Sequence, residues 1–406
     1  MPVALTTILV PNGPDEAVKR IRLKAWHERI IEFGIVFVSR VAADLVGAFI
    51  FRLWLVATVL FLSACAPAPS SAKAAVSDPI PVLSYYYIWF DTQSWDRAKT
   101  DYPLLGRYSS SNVDVMRQHI RWAKAAGIKG FIVSWKSTDK LNQRLEQLIQ
   151  VSEEENFKLA IIYQGLDFYR EPLPIEQVDS DLSYFIDHYA EHQAFDIYEM
   201  PLVIWSGTWK FSREDVENVV LGKREHILIL ASERNVDGYL RLADLVDGDA
   251  YYWSSVNPDT FPGYPGKLTA MSEAIHANGG LWIAPAAPGF DARLIGGTTV
   301  VDRKDGKTLQ IQFNTAMQSS PDAVGLISWN EFSENSHIEP SENYDHRYLD
   351  VLAGIRHLPA PVVRDFDSSE PGNTADSVGT SRVAALGLLG MLVVVGLLIL
   401  VRRAVH

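Results

Sequence analysis

The sequence predicts an α/β fold, a (β/α)8 TIM barrel, for the region from about Pro81 to His357. In this region, apolar segments of strand length alternate with amphipathic helical patterns, giving about eight strand–helix pairs in about 280 residues. The apolar segments are near-continuous runs of Val, Ile and Leu, which are typical of parallel strands covered on both faces. An open doubly wound sheet is the alternative, but it would leave edge strands that these runs do not indicate.

The elements follow one another in a regular order. The predicted strands are PVLSYYYIWF, KGFIVSWK, KLAIIYQG, PLVIWS, HILILAS, DAYYWSS, GLWIAPAAP and AVGLISWNEF. The predicted helices are NVDVMRQHIRWAKAAG, DKLNQRLEQLIQVSEEEN, DLSYFIDHYAEHQA, SREDVENVVLGK, GYLRLADL, KLTAMSEAIHANG, LQIQFNTAMQSS and DHRYLDVLAGIRH. The first predicted helix carries signals for its buried face and for both of its ends. Its apolar residues recur at helical spacing, Ser111 or Asn112 can cap its start, and Gly127 can adopt the left-handed conformation that ends it.

Composition narrows the possible partners. The chain has 406 residues and a formal charge of -12, and it lacks the clustered Lys and Arg that phosphate binding requires. We therefore expect no nucleic-acid partner. The 11 Trp, 16 Tyr and 17 Phe would suit a protein that stacks flat ligands, although aromatic residues also fill large cores.

The N-terminal region resembles a bacterial lipoprotein signal. Cys65 ends the apolar run LWLVATVLFLSAC, and Leu62–Cys65 resembles a lipobox, in which the cysteine is lipidated and becomes the mature N-terminus. A plain membrane helix with Cys65 buried is the alternative. Residues 1–52 are long for the region before such a run, so we expect the true start to lie downstream of Met1. The Pro/Ala/Ser-rich segment after Cys65 reads as a linker.

The C-terminal region predicts a membrane anchor. Val383–Val401 is uncharged and apolar over about the length that a bilayer requires, and Arg402 and Arg403 follow it directly. We expect the catalytic domain to be anchored at the cell membrane on the extracytoplasmic face. The predicted organisation is 1–65 extension and signal segment, 66–79 linker, 80–358 barrel, 359–381 linker and 383–401 transmembrane helix.

The ends of the predicted strands carry the candidate binding residues, because barrel enzymes place their sites there. An indole or phenol ring occurs at most of these ends, accompanied by acids and amides. Aromatic faces suit the C–H side of a sugar ring, and polar groups suit its hydroxyls. Plugging of the barrel top by these rings is the alternative interpretation. The candidate binding residues are Tyr86, Trp89, Trp135, Gln164, Tyr252, Trp253, Phe290, Asp291, Asn330 and His337.

The last strand runs into ISWNEFSENSHIEPSENYDH, which contains Glu331 and Glu334. Residues three apart on one strand face opposite sides, so these acids can converge only if the chain leaves the strand near Phe332. Two adjacent carboxylates in an aromatic pocket suit glycosidic cleavage, with one protonated and the other ionised. Two solvated loop glutamates would be the alternative. We take Glu331 and Glu334 as candidate catalytic residues, with Asn330 and His337 fixing substrate hydroxyls.

Several segments resemble the glycoside hydrolase family 99-like group, which includes endo-α-1,2-mannosidases and mannanases. WNEFSENSHIEPS is similar to the group's WNEW-x-EG-x-x-IEP signature, YYYIWF to its first strand, and APAAPGFDAR to its seventh-strand segment. The resemblance implies a retaining hydrolase of α-linked glycans in which Glu331 deprotonates the sugar 2-hydroxyl and Glu334 is the general acid/base. It also implies that Trp135 stacks on a sugar and that Tyr252 lines the site.

The chain departs from the group's pattern at three positions. Gln164 stands where mannan-active members have a glutamate, Asn335 replaces a glycine, and Ile88 replaces a proline. The catalytic pair is retained, but the sugar, its linkage and endo or exo action stay open. The oligomeric state also stays open.

Two other functions compete with hydrolysis. A catalytically degenerate surface carbohydrate-binding protein would have the same fold, and Gln164 favours it. His188, Glu191 and His192 match the HxxEH pattern of inverted zincins, which would make a zinc protease. That segment is predicted to lie on the outer helical wall, far from the strand ends. We therefore expect a hydrolase with an oligosaccharide or polysaccharide substrate, no cofactor and no metal.

Overall fold

Eight parallel strands close into a barrel in residues 80–361, the part of the chain that the computed structural model describes. The last strand pairs with the first, with Val82 aligned to Val324, so the predicted TIM barrel is confirmed and the open sheet is wrong. The strands are β1 (Val82–Tyr87), β2 (Gly130–Trp135), β3 (Lys158–Gln164), β4 (Leu202–Ser206), β5 (Leu228–Ala231), β6 (Gly248–Ala250), β7 (Leu281–Ala286) and β8 (Ala323–Leu326).

A helix follows each strand on the outside. The helices are α1 (Val113–Ala125), α2 (Asp139–Glu154), α3 (Ile175–His188), α4 (Arg213–Val220), α5 (Val236–Leu240), α6 (Tyr264–Ala277), α7 (Lys307–Gln318) and α8 (Arg347–Ile355). The cap of α1 is as predicted: the Asn112 side chain accepts hydrogen bonds from the backbone N–H groups of Asp114 and Val115. Gly127 has φ +79°, the left-handed conformation expected where this helix ends.

Strand side chains alternate between two buried layers. Leu83 and Tyr87 of β1 belong to the cluster inside the barrel, whereas Tyr86 belongs to the layer between the strands and the helices. In β2, Ile132 lies inside and Trp135 outside. This alternation decides which aromatic residues can reach the mouth of the barrel.

Two segments at the mouth differ from the prediction. β6 has only three residues, so Tyr251–Trp253 lie beyond it rather than on it. After β7 the chain forms a short antiparallel ribbon that pairs Phe290–Asp291 with Val300–Val301 before α7 begins. Both segments therefore contribute loops, not barrel strands, to the face where the strands end.

The predicted membrane attachments, Cys65 and Val383–Val401, lie outside the described residues. Among the helices of residues 80–361, none combines the length and apolarity needed to cross a membrane.

Candidate active site

The exit of β8 is a compact turn that brings the two candidate acids together. β8 ends at Leu326, earlier than the predicted exit near Phe332. The Ser328 N–H donates to the carbonyl of Ser336 at 2.8 Å, and the Ser328 hydroxyl accepts the N–H of Glu331 at 2.8 Å. The chain between Ser328 and Ser336 is thus folded back on itself. Glu331 and Glu334 are therefore not forced onto opposite sides, as they would be on an extended strand.

Glu331 is a buried carboxyl group. One of its oxygens, Oε1, accepts the N–H of Ser333 at 3.0 Å. Burial raises the pKa of Glu331 to about 8, with a further contribution from the negative charge of Glu334, while Lys99 opposes the change. A carboxyl group with such a pKa carries a proton at neutral pH.

Glu334 is less buried and lies beside Glu331. Burial raises its pKa, and the positive charge of Arg170 opposes this rise. Its Oε2 is enclosed without a hydrogen-bond partner among the described residues. The Glu334 carbonyl accepts the N–H of Asp291 at 2.7 Å, which ties this loop to the ribbon after β7. The unpartnered oxygen is available to a ligand, so Glu334 can exchange a proton with one.

Two phenols, Tyr87 at the end of β1 and Tyr252 in the loop after β6, lie close enough to both acids to be affected by their charges. The hydroxyls of Tyr87 and Tyr252 are 2.7 Å apart. Burial raises the pKa of each phenol well above its ordinary value, and the charges of Glu334 and Glu331 raise both further. The charges of both carboxylates therefore act on this phenol pair at the end of the barrel.

Three predicted binding residues lie at this mouth. Trp89 is 43% exposed and stacks on Tyr87 with ring centroids 4.4 Å apart. Gln164 ends β3 and donates from Nε2 to the Ser134 hydroxyl at 3.0 Å. Tyr252, described above, is the third. Tyr87 was missed from the sequence, although the alternation of facing along β1 could have indicated it.

Three other predicted binding residues pack in or against the layer between the strands and the helices. Tyr86 lies in the outer layer, where its hydroxyl is 3.0 Å from Nδ1 of His119. Trp135 is fully buried between the strands and the helices, and its Nε1 donates to the Asn142 side chain at 3.0 Å. Trp253 packs against the outer layer. Strand alternation turns the enclosed rings of Tyr86 and Trp135 toward the helices, away from a ligand at the mouth, whereas Trp253 is partly buried and its sugar contact stays a prediction.

Asn330 and His337 are buried inside the protein rather than presented to a sugar. Asn330 accepts the N–H of Tyr87 at 2.8 Å and donates to its carbonyl at 2.9 Å, so it fixes the end of β1. His337 contacts Asp101 at 3.0 Å through Nε2 and lies near Arg303. Burial and the Arg303 charge lower the pKa of His337 to about 4 despite Asp101. Both side chains are fully buried, and their hydrogen bonds within the protein hold the loop.

Phe290 and Asp291 stabilise the ribbon after β7. Phe290 packs with Val301 in the ribbon. Hydrogen bonds from Arg293 lower the pKa of Asp291, and they occupy both of its carboxylate oxygens. The backbone of Asp291, rather than its side chain, is what meets Glu334.

A buried polar chain beneath the acids was not predicted. Glu339 accepts a hydrogen bond from the Tyr108 hydroxyl at 2.8 Å and lies 3.0 Å from Nε2 of His119. Asn330 donates to the same Tyr108 hydroxyl at 3.3 Å. These partners are more than 200 residues from the last strand, so only the glutamate itself stood out in the sequence. These hydrogen bonds support the loop that carries Glu331.

The HxxEH segment has a different geometry from that of a zincin. α3 ends at His188, so His192 lies beyond the helix. His188 stacks on Tyr184 with ring centroids 3.9 Å apart, whereas His192 contacts Glu153 through Nδ1 at 3.1 Å. The two imidazoles thus have separate partners and do not converge.

Comparison with known proteins gives consistent matches. A family model, glycosyl hydrolase family 99, matches residues 90–356. The chain is 25% identical over 293 residues to the mouse glycoprotein endo-alpha-1,2-mannosidase-like protein, covering 63% of this chain and 62% of that one. It is 22% identical over 284 residues to the mouse glycoprotein endo-alpha-1,2-mannosidase, covering 63% and 60% respectively. The chain therefore spans less than two thirds of the length of these relatives.

A solved structure has the same fold. The GH99 endo-alpha-mannosidase from Bacteroides thetaiotaomicron superposes with a TM-score of 0.61 at 22% identity, covering 68% of this chain and 96% of that one. A structure described as a glycoside hydrolase-like protein has a TM-score of 0.56 at 16% identity, covering 73% and 97%. At these identities, the similarity concerns the fold.

Proposed function

The chain belongs to glycosyl hydrolase family 99, and on that premise we propose that it hydrolyses α-linked mannose glycans with retention of configuration. The observation that carries the proposal is the pairing of Glu331 and Glu334 beside the Tyr87–Tyr252 phenols at the end of the barrel strands. Two carboxyl groups that influence each other's protonation beside an aromatic rim are the arrangement that glycoside cleavage requires. The printed names of the matched relatives also favour mannose.

The proposed first step uses the acids in opposite protonation states. Ionised Glu331 accepts the proton of the sugar 2-hydroxyl while that oxygen bonds to the anomeric carbon. The glycosidic C–O bond breaks, and protonated Glu334 gives its proton to the departing oxygen. The product of this step is a 1,2-anhydro sugar.

The proposed second step reverses these proton movements. Glu334, now ionised, takes a proton from water as the water oxygen bonds to the anomeric carbon. The bond from that carbon to the 2-oxygen breaks, and the 2-oxygen recovers its proton from Glu331. Two displacements at one carbon restore its original configuration, which is why retention is proposed.

The electrostatics of the two acids favour the other proton arrangement. Glu331 is the more buried acid, and its pKa of about 8 holds the proton there at neutral pH. Glu334 has a cation, Arg170, that favours its ionised form. Because the pair titrates as a unit, the productive form with the proton on Glu334 is a minor species. We therefore propose reverse protonation, in which substrate binding or proton exchange moves the proton to Glu334.

A carbohydrate-binding protein without turnover is the second candidate. It is favoured by Gln164, which stands at the mouth where mannan-active members of the family have a carboxylate. The amide cannot exchange a proton or carry a negative charge, so any catalytic contribution from that position is lost.

We also propose that the barrel is attached to a membrane on its extracytoplasmic side. The support is the sequence alone: the apolar segment Val383–Val401 is followed by two arginines, and Cys65 ends a lipobox-like run. Membrane fractionation of the full chain and of Cys65→Ser, with protease accessibility of the barrel, would test this. Recovery of the full chain in the soluble fraction would refute attachment.

Turnover of α-1,2-linked manno-oligosaccharides, with product configuration followed by proton NMR, tests the hydrolase. Wild type should release a product of retained configuration. Glu331→Gln and Glu334→Gln should each abolish turnover while keeping a cooperative unfolding transition. Glycan binding without any product would favour the carbohydrate-binding candidate, and normal activity of either variant would remove the proposed mechanism.

A further inference from the structure

The loop between β3 and α3 presents two large aromatic rings to solvent. Within residues 80–361, Phe168 and Tyr169 are the most exposed large apolar side chains, at 93% and 81%. Their rings meet edge to face, with centroids 5.7 Å apart. Neither ring packs on the barrel, so their hydrophobic surface contributes nothing to the core.

Hydrogen bonds close the backbone of this loop, residues 165–173. The Asp167 carboxylate accepts the N–H groups of Tyr169 at 2.8 Å and Glu171 at 2.9 Å. Asp167 N–H donates to the carbonyl of Glu171 at 2.8 Å, and Leu173 N–H donates to Gly165 at 2.9 Å. With its backbone closed in this way, the loop presents both rings to solvent.

The loop lies beside the acid/base side of the pocket. It follows the C-terminal end of β3, directly after Gln164. Arg170, the residue next to Tyr169, is close enough for its charge to act on the Glu334 carboxyl. A chain that leaves the pocket past Glu334 therefore has the aromatic pair within its surroundings.

We propose that Phe168 and Tyr169 bind a sugar unit of the departing glycan chain, beyond the two units joined by the cleaved bond. The inference rests on the proposed function, in which Glu334 protonates the departing oxygen, so the chain on that side passes the loop. Planar rings match the C–H face of a sugar. A site for a further unit on this side predicts faster cleavage when the departing chain is longer, because a departing single sugar would not reach the rings.

A membrane surface is the competing use of these rings. Exposed aliphatic residues would suit lipid better, and they lie on the loop after β7 at Leu294, Ile295 and Val300. β3 and β7 lie on opposite sides of the closed barrel. The aromatic pair and the aliphatic residues are thus separate surfaces, and the planar rings of the aromatic pair favour the glycan.

The test compares the full chain in detergent with Phe168→Ala/Tyr169→Ala on α-1,2-linked manno-oligosaccharides from disaccharide to octasaccharide. The readout is the kcat/KM for the longest substrate divided by that for the shortest one cleaved. We expect the double variant to lower this ratio about tenfold, a factor that corresponds to 1.4 kcal/mol. Leu221→Ala is the matched control, because Leu221 is 79% exposed at the opposite end of the barrel. It should leave the ratio unchanged.

Affinity electrophoresis in mannan gels adds a readout that does not need turnover. Lower mannan affinity in the double variant supports sugar binding by Phe168 and Tyr169 even if wild type cleaves nothing. In that case the hydrolase proposal alone fails. Sugar binding by the two rings is overturned if the double variant keeps both the wild-type ratio of kcat/KM values and the wild-type affinity for mannan. Loss of binding to phosphatidylglycerol/phosphatidylcholine vesicles, with the glycan readouts unchanged, also overturns it and assigns the rings to a membrane surface.

Discussion

Replacing Glu331 by glutamine should change the pH dependence of stability in a direction set by its burial. The pKa of this carboxyl is raised from 4.5 to about 8 by burial and by the charge of Glu334. Between these values, the native protein keeps a proton that the unfolded chain has lost, so the free energy of unfolding falls as pH rises. The contribution of the Glu331 carboxyl to the free energy of unfolding is fully present below pH 4.5 and is lost by about pH 8. Glutamine cannot ionise, so the variant lacks this loss.

The size of the effect follows from the difference in pKa. At about 1.4 kcal/mol for each unit of pKa, the change from 4.5 to about 8 corresponds to about 5 kcal/mol. The amide also changes local hydrogen bonds, but that contribution is constant with pH. The free energy of unfolding of Glu331→Gln minus that of wild type should therefore increase across this pH range.

Urea denaturation at half-unit steps from pH 4.5 to 8.5 measures this difference. Subtracting the wild-type curve cancels the titrating groups that do not interact with Glu331. Glu334→Gln is the companion variant: it removes one of the two causes that raise the Glu331 pKa, so the decline in its stability should end at a lower pH. Parallel curves for wild type and Glu331→Gln over the whole range would show that Glu331 is not the buried, proton-retaining acid described here.

Three further outcomes are expected. Trp135→Ala should lower the free energy of unfolding by about 3–5 kcal/mol without changing KM, whereas Trp89→Ala should raise KM with little loss of stability, as denaturant melts and initial rates can verify. Tyr252→Phe, which removes a hydroxyl beside both acids, should lower kcat by about tenfold or more at unchanged Tm, and an unaltered kcat would contradict a role for that hydroxyl. Asn330→Ala should lower the free energy of unfolding by about 3 kcal/mol, because the backbone N–H and carbonyl of Tyr87 lose their buried partners. Urea melts that show no loss of stability would refute this role of Asn330.

The architecture was predictable because its signals are local. Near-continuous apolar runs require cover on both faces, and amphipathic helices between them provide that cover. The start of α1 was also readable, since the Asn112 side chain meets N–H groups only two and three residues away. The length of β6 was not readable, because Tyr251–Trp253 are strand-forming residues that continue past the last strand pairing.

The binding residues were harder to predict because adjacent residues on a strand face opposite layers. Tyr86 and Tyr87 are chemically alike and neighbours, yet one meets His119 beneath a helix and the other meets Tyr252 beside the acids. Resemblance to a family motif did not resolve this for Trp135, whose ring lies outside the barrel.

By itself, the sequence determined the barrel and the strand end at which two acids meet, because both depend on composition within short segments. Only the tertiary structure decided which aromatic rings face Glu331 and Glu334 and which acid retains the proton. Those properties arise from burial and from contacts between residues up to about 240 positions apart, such as Asn330 with Tyr87. Electrostatic effects depend on distance and on exclusion of water, and neither is set until the chain closes on itself.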